Sequence, residues 1–365
     1  MSRRLRGRVC LVTGASGIAA AAARRFAAEG AAVHVASLDP EQCAVLADEI
    51  VAAGGRATWT AGDLRDEAVV AEAVARSAEV AGRIDGLFAV AGASGRRYGD
   101  DPLHELPLRG WDATFGLNVT PAFLALRDAV RAMREQEPDL DGLRGAVVLV
   151  GSVLATSPSP VLFATHAYAA AKGALESLVR TSAAYYAPEG IRVNVVTPGL
   201  VTTPMAARAA EDPVTLAYAA SKQPLACGLL DPEDVADAAL FLLSGEARRV
   251  TGQALAVDAA GRSPRDARDL PAAVAICSGA GCQPRERRPR PAGGLGARCR
   301  PGPDRGVVRP RRRRPPQRRP SHRRRTPGRP ARSRCRRPAR AERGGPPRRA
   351  AAPGASPPPR PRRRP

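Results

Sequence analysis

Lysine is nearly absent from this sequence: among 365 residues, only Lys172 and Lys222 occur. Each follows a tyrosine by four positions, Tyr168 in the first case and Tyr218 in the second. Residues at i and i+4 lie on the same face of a helix, so a lysine placed there can tune the acidity of a phenol. The scarcity of lysine limits any tyrosine–lysine chemistry to two candidate pairs.

Patterned cysteines and long apolar runs are also missing. The seven cysteines have no spacing typical of a metal site or a disulfide framework, which indicates thiols in a reducing compartment. After a basic start, the apolar run at residues 9–12 is too short for a signal-peptide core or a membrane span. We therefore expect a cytoplasmic protein without a metal and without a membrane partner.

Excess basic charge is missing from the first 261 residues, which carry 24 lysines and arginines against 30 acids, a net charge of −6. Residues 262–365 carry 33 arginines and five acids, a net charge of +28, so this segment accounts for the formal total of +22. The balance predicts a mildly acidic domain over residues 1–261 rather than a nucleic-acid-binding domain.

The basic segment, residues 262–365, contains 22 prolines and no phenylalanine, tryptophan, tyrosine or methionine. Such a segment buries too little apolar surface to offset its ordering entropy, so we expect a disordered tail. Its arginines could neutralise RNA or DNA phosphates, but it has no aromatic side chains to stack on bases. We favour a tail without a selected function and keep nucleic-acid binding as the alternative.

Short β-rich runs alternate with alanine-rich helical stretches through the first 261 residues. The pattern predicts strands at residues 8–13, 31–36, 56–61, 85–92, 145–152, 191–199 and 253–259. Helices are predicted between them at residues 18–29, 40–53, 66–80, 111–133, 167–186 and 232–243. This alternation, with nearly continuous apolar strands, predicts an α/β fold: a Rossmann-type doubly wound parallel sheet in a single domain.

A glycine-containing turn follows the first predicted strand and opens the first predicted helix. Gly14 permits a tight turn, and Gly17 permits close approach of the backbone to a ligand. The N-terminus of the helix offers N–H groups and a partial positive charge to a pyrophosphate. The turn is therefore a candidate dinucleotide-binding element.

With this turn and Tyr168-x-x-x-Lys172, residues 5–261 resemble the short-chain dehydrogenase/reductase family, whose nucleotide loop has the pattern T-G-x-x-x-G-x-G. The present loop is one residue shorter than that pattern and has Ala19 in place of its last glycine. The resemblance implies NAD or NADP as cofactor. The cofactor-binding positions it implies are Thr13, Gly14, Ser16, Gly17, Ile18, Ser37, Asp63, Leu64, Ala91, Gly92, Tyr168, Lys172, Pro198, Gly199, Val201 and Thr203.

The resemblance also implies a catalytic set. Tyr168 and Lys172 follow the fifth predicted strand, as the family's pair does, whereas Tyr218 and Lys222 lie in the variable substrate-binding region. Ser152 is the candidate that orients the substrate carbonyl, although its gap of 16 residues to Tyr168 exceeds the family's usual 13 or so. Ser157 and Ser159 are competitors, but each adjoins a proline and fits a turn better. Asn118 matches the family's proton-relay asparagine, and His34 and His166 are assigned no catalytic role.

The choice between NAD and NADP depends on the end of the second strand. Ser37 occupies the position where an acid would select NAD, and Asp39 follows two residues later. We favour NADP slightly on this basis. The expected function is hydride transfer between the cofactor and a secondary alcohol or ketone, with Tyr168 as general acid and base and with a homodimer or homotetramer as the assembly.

An alternative follows from the departures from the family pattern. The shortened glycine loop, Ala19, the loss of the asparagine before Ala91-Gly92, and the alanines Ala259 and Ala260 in place of two glycines weaken the match. A catalytically impaired Rossmann protein that binds a nucleotide or a partner is therefore the second hypothesis.

Overall fold

The computed structural model describes residues 3–159 and 162–260, and the expected tail at residues 262–365 lies outside them. Seven strands lie within the described residues: β1 Val9–Thr13, β2 Ala32–Ser37, β3 Arg56–Ala61, β4 Gly86–Ala89, β5 Gly145–Val150, β6 Ile191–Pro198 and β7 Ala254–Val257. They form one sheet in the order β3-β2-β1-β4-β5-β6-β7, and every pair is parallel. The predicted doubly wound parallel sheet is confirmed.

The α-helices connect these strands and cover both faces of the sheet. In the described residues they are α1 Gly17–Ala28, α2 Pro40–Ala52, α3 Glu67–Glu79, α4 Leu108–Asn118, α5 Thr120–Arg134, α6 His166–Tyr186, α7 Ala207–Glu211, α8 Pro213–Lys222 and α9 Pro232–Leu243. Helix α1 packs on α9, while α3 packs on α5 and α4 on α6. One apolar cluster therefore lies on each face, because parallel strands are shielded from water on both sides.

Aspartates begin several of these helices. The Asp39 carboxylate accepts hydrogen bonds from the backbone N–H groups of Glu41 and Gln42 at the start of α2. Asp66 does the same for α3 by accepting from the N–H of Ala68. These carboxylates satisfy N–H groups that have no partner within the helix, and their charge favours the positive end of the helix dipole.

The single helix predicted at residues 111–133 is wrong. The structure ends α4 at Asn118 and begins α5 at Thr120. Pro121 lies in the first turn of α5 and has no N–H to donate to the preceding turn. The Asn118 side chain also donates to the Thr114 carbonyl oxygen, 2.9 Å away, inside α4. The proline and the polar side chain interrupt the helix where the apolar periodicity alone continues through it.

Helices α7 and α8 occupy the region that the sequence analysis treated only as a variable substrate-binding region. Asp212 begins α8 by accepting from the N–H groups of Val214 and Thr215. Because these helices are short, the apolar pattern does not separate them from a loop. Among the described residues, no helix is long and apolar enough to cross a membrane, and no cluster of three or more potential metal ligands occurs.

Candidate active site

A cleft of about 340 Å³ opens beyond the carboxyl ends of β1, β4, β5 and β6. The strand order reverses between β1 and β4, which is where open α/β sheets bind ligands. Most of the predicted site residues line this cleft: Gly14, Ser16, Gly17, Ile18, Ala91, Gly92, Ser152, Tyr168, Lys172, Pro198, Gly199, Val201 and Thr203. Five others, Thr13, Ser37, Asp63, Leu64 and Asn118, do not contribute to its lining.

The glycine turn occupies one end of the cleft. Gly14 and Gly17 have backbone φ angles of +105° and +52°, in the region that favours glycine. A Cβ atom at Gly17 would lie 2.9 Å from Cγ2 of Thr203, so the segment after β6 lies directly over the turn. The start of α1 therefore faces the cleft, and the absence of a side chain at Gly17 leaves room for Thr203.

Ala19 lies in the first turn of α1, directly after the shortened loop. Its side chain is 1% exposed and belongs to the apolar cluster that packs on α1. A Cβ atom at Gly14 would lie 3.0 Å from the Ala19 methyl group, so the two residues are packed closely. The extra methyl group thus fills core space next to the turn, and Gly14 cannot be enlarged without displacing it.

Thr13 is buried and hydrogen-bonds with the backbone. Its hydroxyl oxygen accepts hydrogen bonds from the backbone N–H groups of Val90 and Ala91, at 3.0 and 3.1 Å. The residue is 3% exposed. Thr13 therefore ties the end of β1 to the segment after β4 and shapes the floor of the cleft.

The residues expected around the adenosine end lie at or just after the carboxyl ends of β2 and β3. Ser37 ends β2, Leu64 is buried in the core, and Asp63 forms an ion pair with Arg65. The hydrogen bonds from Arg65 hold the pKa of Asp63 below its usual value. Asp39 is engaged at the start of α2, where N–H donors from Gln42 and Glu41 lower the pKa of its carboxyl group. Both acids are therefore partnered within the protein.

Tyr168 lies in the first turn of α6 and lines the cleft. The surrounding protein removes water from the phenol, which raises the pKa of Tyr168 to about 12, and a hydrogen bond with Ser152 acts in the opposite direction. The neutral phenol is thus the resting form near pH 7. A proton-transfer role then requires additional positive charge to stabilise the phenolate.

Lys172 lies one turn further along α6. It is 4% exposed, and its ammonium group donates to the Val150 carbonyl oxygen at 2.9 Å. The distance from Nζ to the centre of the Tyr168 ring is 5.5 Å. Burial lowers the pKa of Lys172 to about 8, so roughly nine-tenths of the side chain is still charged at pH 7. The pair shares one helix face and one cleft.

Asn118 is completely buried at the end of α4. Its amide nitrogen donates to the carbonyl oxygens of Ala93 and Thr114, while its Oδ1 is buried with no hydrogen-bond partner among the described residues. A Cβ atom at Gly92 would lie 2.7 Å from this Oδ1 and 3.5 Å from Nζ of Lys172. The absence of a side chain at Gly92 therefore lets the Asn118 carboxamide pack directly against the Gly92 backbone.

Ser152 forms a side-chain hydrogen bond with Tyr168. It follows β5 and is 8% exposed. Its hydroxyl oxygen also accepts from the N–H of Leu154 at 3.2 Å, which fixes the rotamer. Ser157 lines the cleft as well, while Ser159 is 2% exposed and does not line it. The geometry favours Ser152 over both competitors despite its unusual spacing.

Asp100 was not among the site residues predicted from the sequence. This fully buried residue accepts hydrogen bonds from the N–H groups of Ala167 and Tyr168, both at 2.8 Å. It thereby caps the N-terminus of α6, the helix that carries Tyr168 and Lys172. The contact joins positions 67 and 68 residues apart, so no local pattern could have indicated it.

The second tyrosine–lysine pair also faces the cleft. Tyr218 and Lys222 lie on α8 and line the cavity with Arg96 and Arg208. The Tyr218 ring lies 6.3 Å from that of Phe163, measured between ring centres. Their position agrees with a substrate-binding region. His34 is fully buried between the hydroxyl groups of Thr58 and Thr60, as expected for a core residue.

The cleft, its glycine turn and its tyrosine–lysine pair define a nucleotide-dependent oxidoreductase fold, and the chain belongs to the short-chain dehydrogenase/reductase family. A family model described as enoyl-(acyl carrier protein) reductase matches residues 12–260. The resemblance predicted from the motifs is confirmed.

Individual relatives cover nearly the same span. A cis-4-hydroxycyclohexanecarboxylate dehydrogenase from Sinomonas cyclohexanicum is 38% identical over 252 residues, covering 69% of this chain and 95% of the relative. An inactive 2-(S)-hydroxypropyl-CoM dehydrogenase 2 from Xanthobacter autotrophicus is 38% identical over 237 residues, covering 64% and 96%. A solved structure from Beutenbergia cavernae with NADP bound at low occupancy is 30% identical, covers 72% and 99%, and has a TM-score of 0.64. The chain is thus similar to alcohol-oxidising dehydrogenases of NAD(P)-dependent type.

Proposed function

We propose that the protein is an NAD(P)-dependent dehydrogenase that interconverts a secondary alcohol and a ketone, with Tyr168 as general acid and base. The observation that carries the proposal is the meeting of Tyr168, Lys172 and Ser152 in the cleft that also holds the glycine turn. A dinucleotide laid along this cleft would extend from the turn to the tyrosine. A second cleft also borders the glycine turn through Ser16 and Gly17, but Tyr168 and Lys172 are not part of its lining.

The residues present fit a dinucleotide. Gly14 and Gly17, with the start of α1, would receive the pyrophosphate. Gly92 lines the cleft without a side chain, so a ribose would approach its backbone closely, while the buried Asn118 supports this segment by donating to the Ala93 carbonyl oxygen. Lys172 also lines the cleft and would donate to the ribose hydroxyl groups.

The chemistry follows from this arrangement. The bound nicotinamide supplies a hydride acceptor or donor at its C4 position. During oxidation, Tyr168 accepts the proton of the alcohol oxygen as the carbon–hydrogen bond breaks and the carbonyl forms. Ser152 holds the substrate oxygen next to the phenol, and the charge on Lys172 favours the phenolate. In the reverse direction Tyr168 returns the proton to the carbonyl oxygen, and such general acid–base help contributes about 10²–10⁴-fold.

The proposed cofactor preference is NADP. Ser37 carries no charge at the position where an acid would repel a 2′-phosphate. The nearby carboxylate of Asp39 is held by hydrogen bonds from Glu41 and Gln42. Titration of NADPH and NADH into the protein, followed by cofactor fluorescence, should give the lower dissociation constant for NADPH.

The proposed substrate is a secondary alcohol on a compact apolar skeleton. Leu154, Phe163 and Met205 contribute apolar surface to the cleft around Tyr168. The relative from Sinomonas cyclohexanicum acts on a hydroxylated cyclohexane ring, which fits a cavity of this kind. Ring alcohols are therefore the first substrates to screen.

Exchange of Tyr168 for phenylalanine tests the function directly. We expect Tyr168→Phe to lose about 10²–10⁴-fold in turnover, because the ring remains but no proton can be transferred. Its affinity for NADPH should stay close to that of wild type. Tyr185→Phe is the matched control on the same helix, since Tyr185 is 70% exposed and lies outside the cleft. Full turnover by Tyr168→Phe would contradict the mechanism.

The second candidate function is nucleotide binding without catalysis. It is supported by the shortened glycine loop and by the similarity to a relative described as inactive. The same titration separates the candidates. Cofactor binding together with substrate turnover supports the dehydrogenase, cofactor binding without turnover of any ring alcohol supports the impaired protein, and absence of cofactor binding contradicts both.

We also propose a homodimer or homotetramer. Strand β7 forms the edge of the sheet, pairs with β6 on one side, and is exposed or half-buried along its length. Such an edge tends to be covered by another chain. Light scattering of the full chain measures the assembly, and a monomer would contradict it.

A further inference from the structure

The lining of the cleft carries a local excess of positive charge. Besides Lys172, the lining contains Arg96, Arg208 and Lys222, contributed by three separate segments of the chain. Asp258 is the one acid in the lining formed by the described residues. This concentration is unexpected in a domain whose first 261 residues carry 24 basic and 30 acidic side chains. The cleft therefore favours an anionic occupant.

Arg96 is held in place in the wall of the cleft. One of its terminal nitrogens donates to the Leu162 carbonyl oxygen at 2.8 Å, just before the helix that carries Tyr168. No carboxylate of the described residues forms an ion pair with it. A guanidinium group has five N–H donors in a planar fork, so most of them remain available to a ligand.

A second, independent observation comes from Thr165. This residue lines the cleft and is 8% exposed, and its Oγ1 is buried with no hydrogen-bond partner among the described residues. A buried hydroxyl group without a partner costs free energy unless a ligand or a water completes it. Thr165 lies three residues before Tyr168, so the unused hydroxyl belongs to the substrate end of the cleft.

Arg208 is less suitable as a substrate ligand. It follows Thr203 and Pro204, whose side chains lie over Gly17 at the pyrophosphate end. Its charge can therefore act on the cofactor phosphates. Arg96, by contrast, is tethered to the segment that leads into Tyr168, and the walls near that segment include the rings of Phe163 and Tyr218. Arg96 is the cation best placed for the substrate.

From this arrangement we infer that Arg96 binds a carboxylate on the substrate, so that the substrate class is a hydroxy acid or the corresponding keto acid. The hydroxyl group of Thr165 donates a further hydrogen bond to the anion, and Lys222 adds long-range attraction. The apolar skeleton between carboxylate and reacting carbon lies against Phe163 and Tyr218. The inference rests on the proposed function, since it names the substrate of the same cleft.

Binding of an unreactive carboxylate tests the site without any need for turnover. We expect cyclohexanecarboxylate to bind the full chain in calorimetry and its methyl ester, of the same skeleton without the charge, to bind at least tenfold more weakly. Arg96→Gln should weaken binding of the acid about 10- to 100-fold, as for loss of a charged hydrogen bond, and leave the ester unchanged. Arg96→Lys, which keeps the charge, should lose less.

Arg97→Gln is the matched control, because Arg97 is exposed, stacks on Tyr98 and lies outside the cleft lining. It should bind the acid as wild type does. Thermal unfolding of Arg96→Gln checks that the variant is folded. Equal binding of acid and ester, or an Arg96→Gln variant with weakened NADPH affinity and unchanged affinity for the acid, would overturn the inference.

Turnover provides the second measurement. Wild type should oxidise 4-hydroxycyclohexanecarboxylate with a higher kcat/KM than its methyl ester, and Arg96→Gln should remove the difference mainly through KM. Carboxylate binding that depends on Arg96 in a protein without turnover would sustain the anion site while the proposed function fails. Turnover of acid and ester at equal rates would sustain the function while the anion site fails.

Discussion

At the scale of single residues, the most consequential side chain is the buried Lys172. Lys172 is 4% exposed, and burial lowers its pKa from 10.5 to about 8. Its ammonium group donates one hydrogen bond, to the carbonyl oxygen of Val150. The protein thus carries an energetic penalty to keep a positive charge beside Tyr168, as expected of a functional site rather than of a packing position.

This penalty should appear in the pH dependence of stability. Between about pH 8 and pH 10 the unfolded chain keeps the proton of Lys172 while the folded chain releases it. The unfolded state then binds more protons, so the free energy of unfolding rises with pH relative to a variant without the amine. The penalty is fully present below pH 8. We expect the free energy of unfolding of wild type to rise, relative to that of Lys172→Met, by at most about 1.4 kcal/mol per pH unit.

Urea denaturation of both proteins at pH 7, 8, 9 and 9.5 measures this difference. Groups other than Lys172 titrate in both proteins and largely cancel from the comparison. A difference in unfolding free energy that is constant over this range would show that Lys172 does not titrate there.

Asp100 provides a second prediction at this scale. In Asp100→Asn, one oxygen that accepts from Ala167 or Tyr168 becomes an N–H donor facing another donor. We expect a loss of about 1–3 kcal/mol of stability and a lower kcat with cofactor affinity retained, because the first turn of α6 loses its cap. Asp101→Asn is the matched control, since Asp101 is exposed and its side chain caps no helix. Urea denaturation and steady-state kinetics give both readouts, and equal kcat for the two variants would refute the positioning role.

At the scale of elements, the segment after β7 shows what the replacement of glycine costs. Ala259 and Ala260, which stand where the family usually has two glycines, have φ angles of +48° and +76°. Alanine is strained in this region by about 1–2 kcal/mol per residue. The backbone therefore keeps the conformation that glycines would adopt, although the side chains oppose it.

Ala260→Gly should therefore stabilise the protein. The relief of strain exceeds the extra entropy of glycine in the unfolded chain, which leaves a gain of roughly 0.5–1 kcal/mol. Ala256→Gly within β7 is the matched control and should destabilise by roughly the same amount, because there the backbone is extended. Thermal or urea unfolding measures both. A loss of stability in Ala260→Gly would mean that its methyl group makes a favourable contact larger than the strain.

At the scale of the whole molecule, charge and site are segregated along the chain. The cleft is lined by residues between Gly14 and Asp258, while residues 262–365 carry a net charge of +28 from 33 arginines and five acids. None of the contacts described for the site requires a residue beyond Asp258. The domain before residue 262 should contain the complete dehydrogenase.

We expect a chain ending at residue 261 to bind NADPH and turn over substrate within about twofold of the full chain. Any binding of the full chain to RNA or DNA should be lost in the shortened one and should weaken steeply with salt. Fluorescence titration, steady-state kinetics and filter binding at two salt concentrations make the comparison. A large loss of kcat/KM on shortening would assign the basic segment a part in the enzyme.

Much of the fold and part of the site follow from local features of the sequence. The seven strands are predicted because apolar runs of strand length alternate with helical stretches. The structure has all seven strands in the predicted order along the chain. The pairing of Tyr168 with Lys172 follows from a spacing of four on one helix. The helix break after Asn118 was missed because apolar periodicity continues across it, and only the side-chain hydrogen bond and Pro121 reveal it.

The sequence by itself determined the class of fold, because strands and helices alternate along residues 1–261, and it predicted the glycine turn and the Tyr168–Lys172 pair, because each of these lies within a few neighbouring residues. Only the tertiary structure shows that Asp100 caps the helix of Tyr168. It also shows that Arg96 and Lys222 line the same cleft and that the Thr165 hydroxyl group has no hydrogen-bond partner among the described residues. These features join segments that are distant in sequence. Their geometry depends on how the sheet and helices pack, and no local spacing records it.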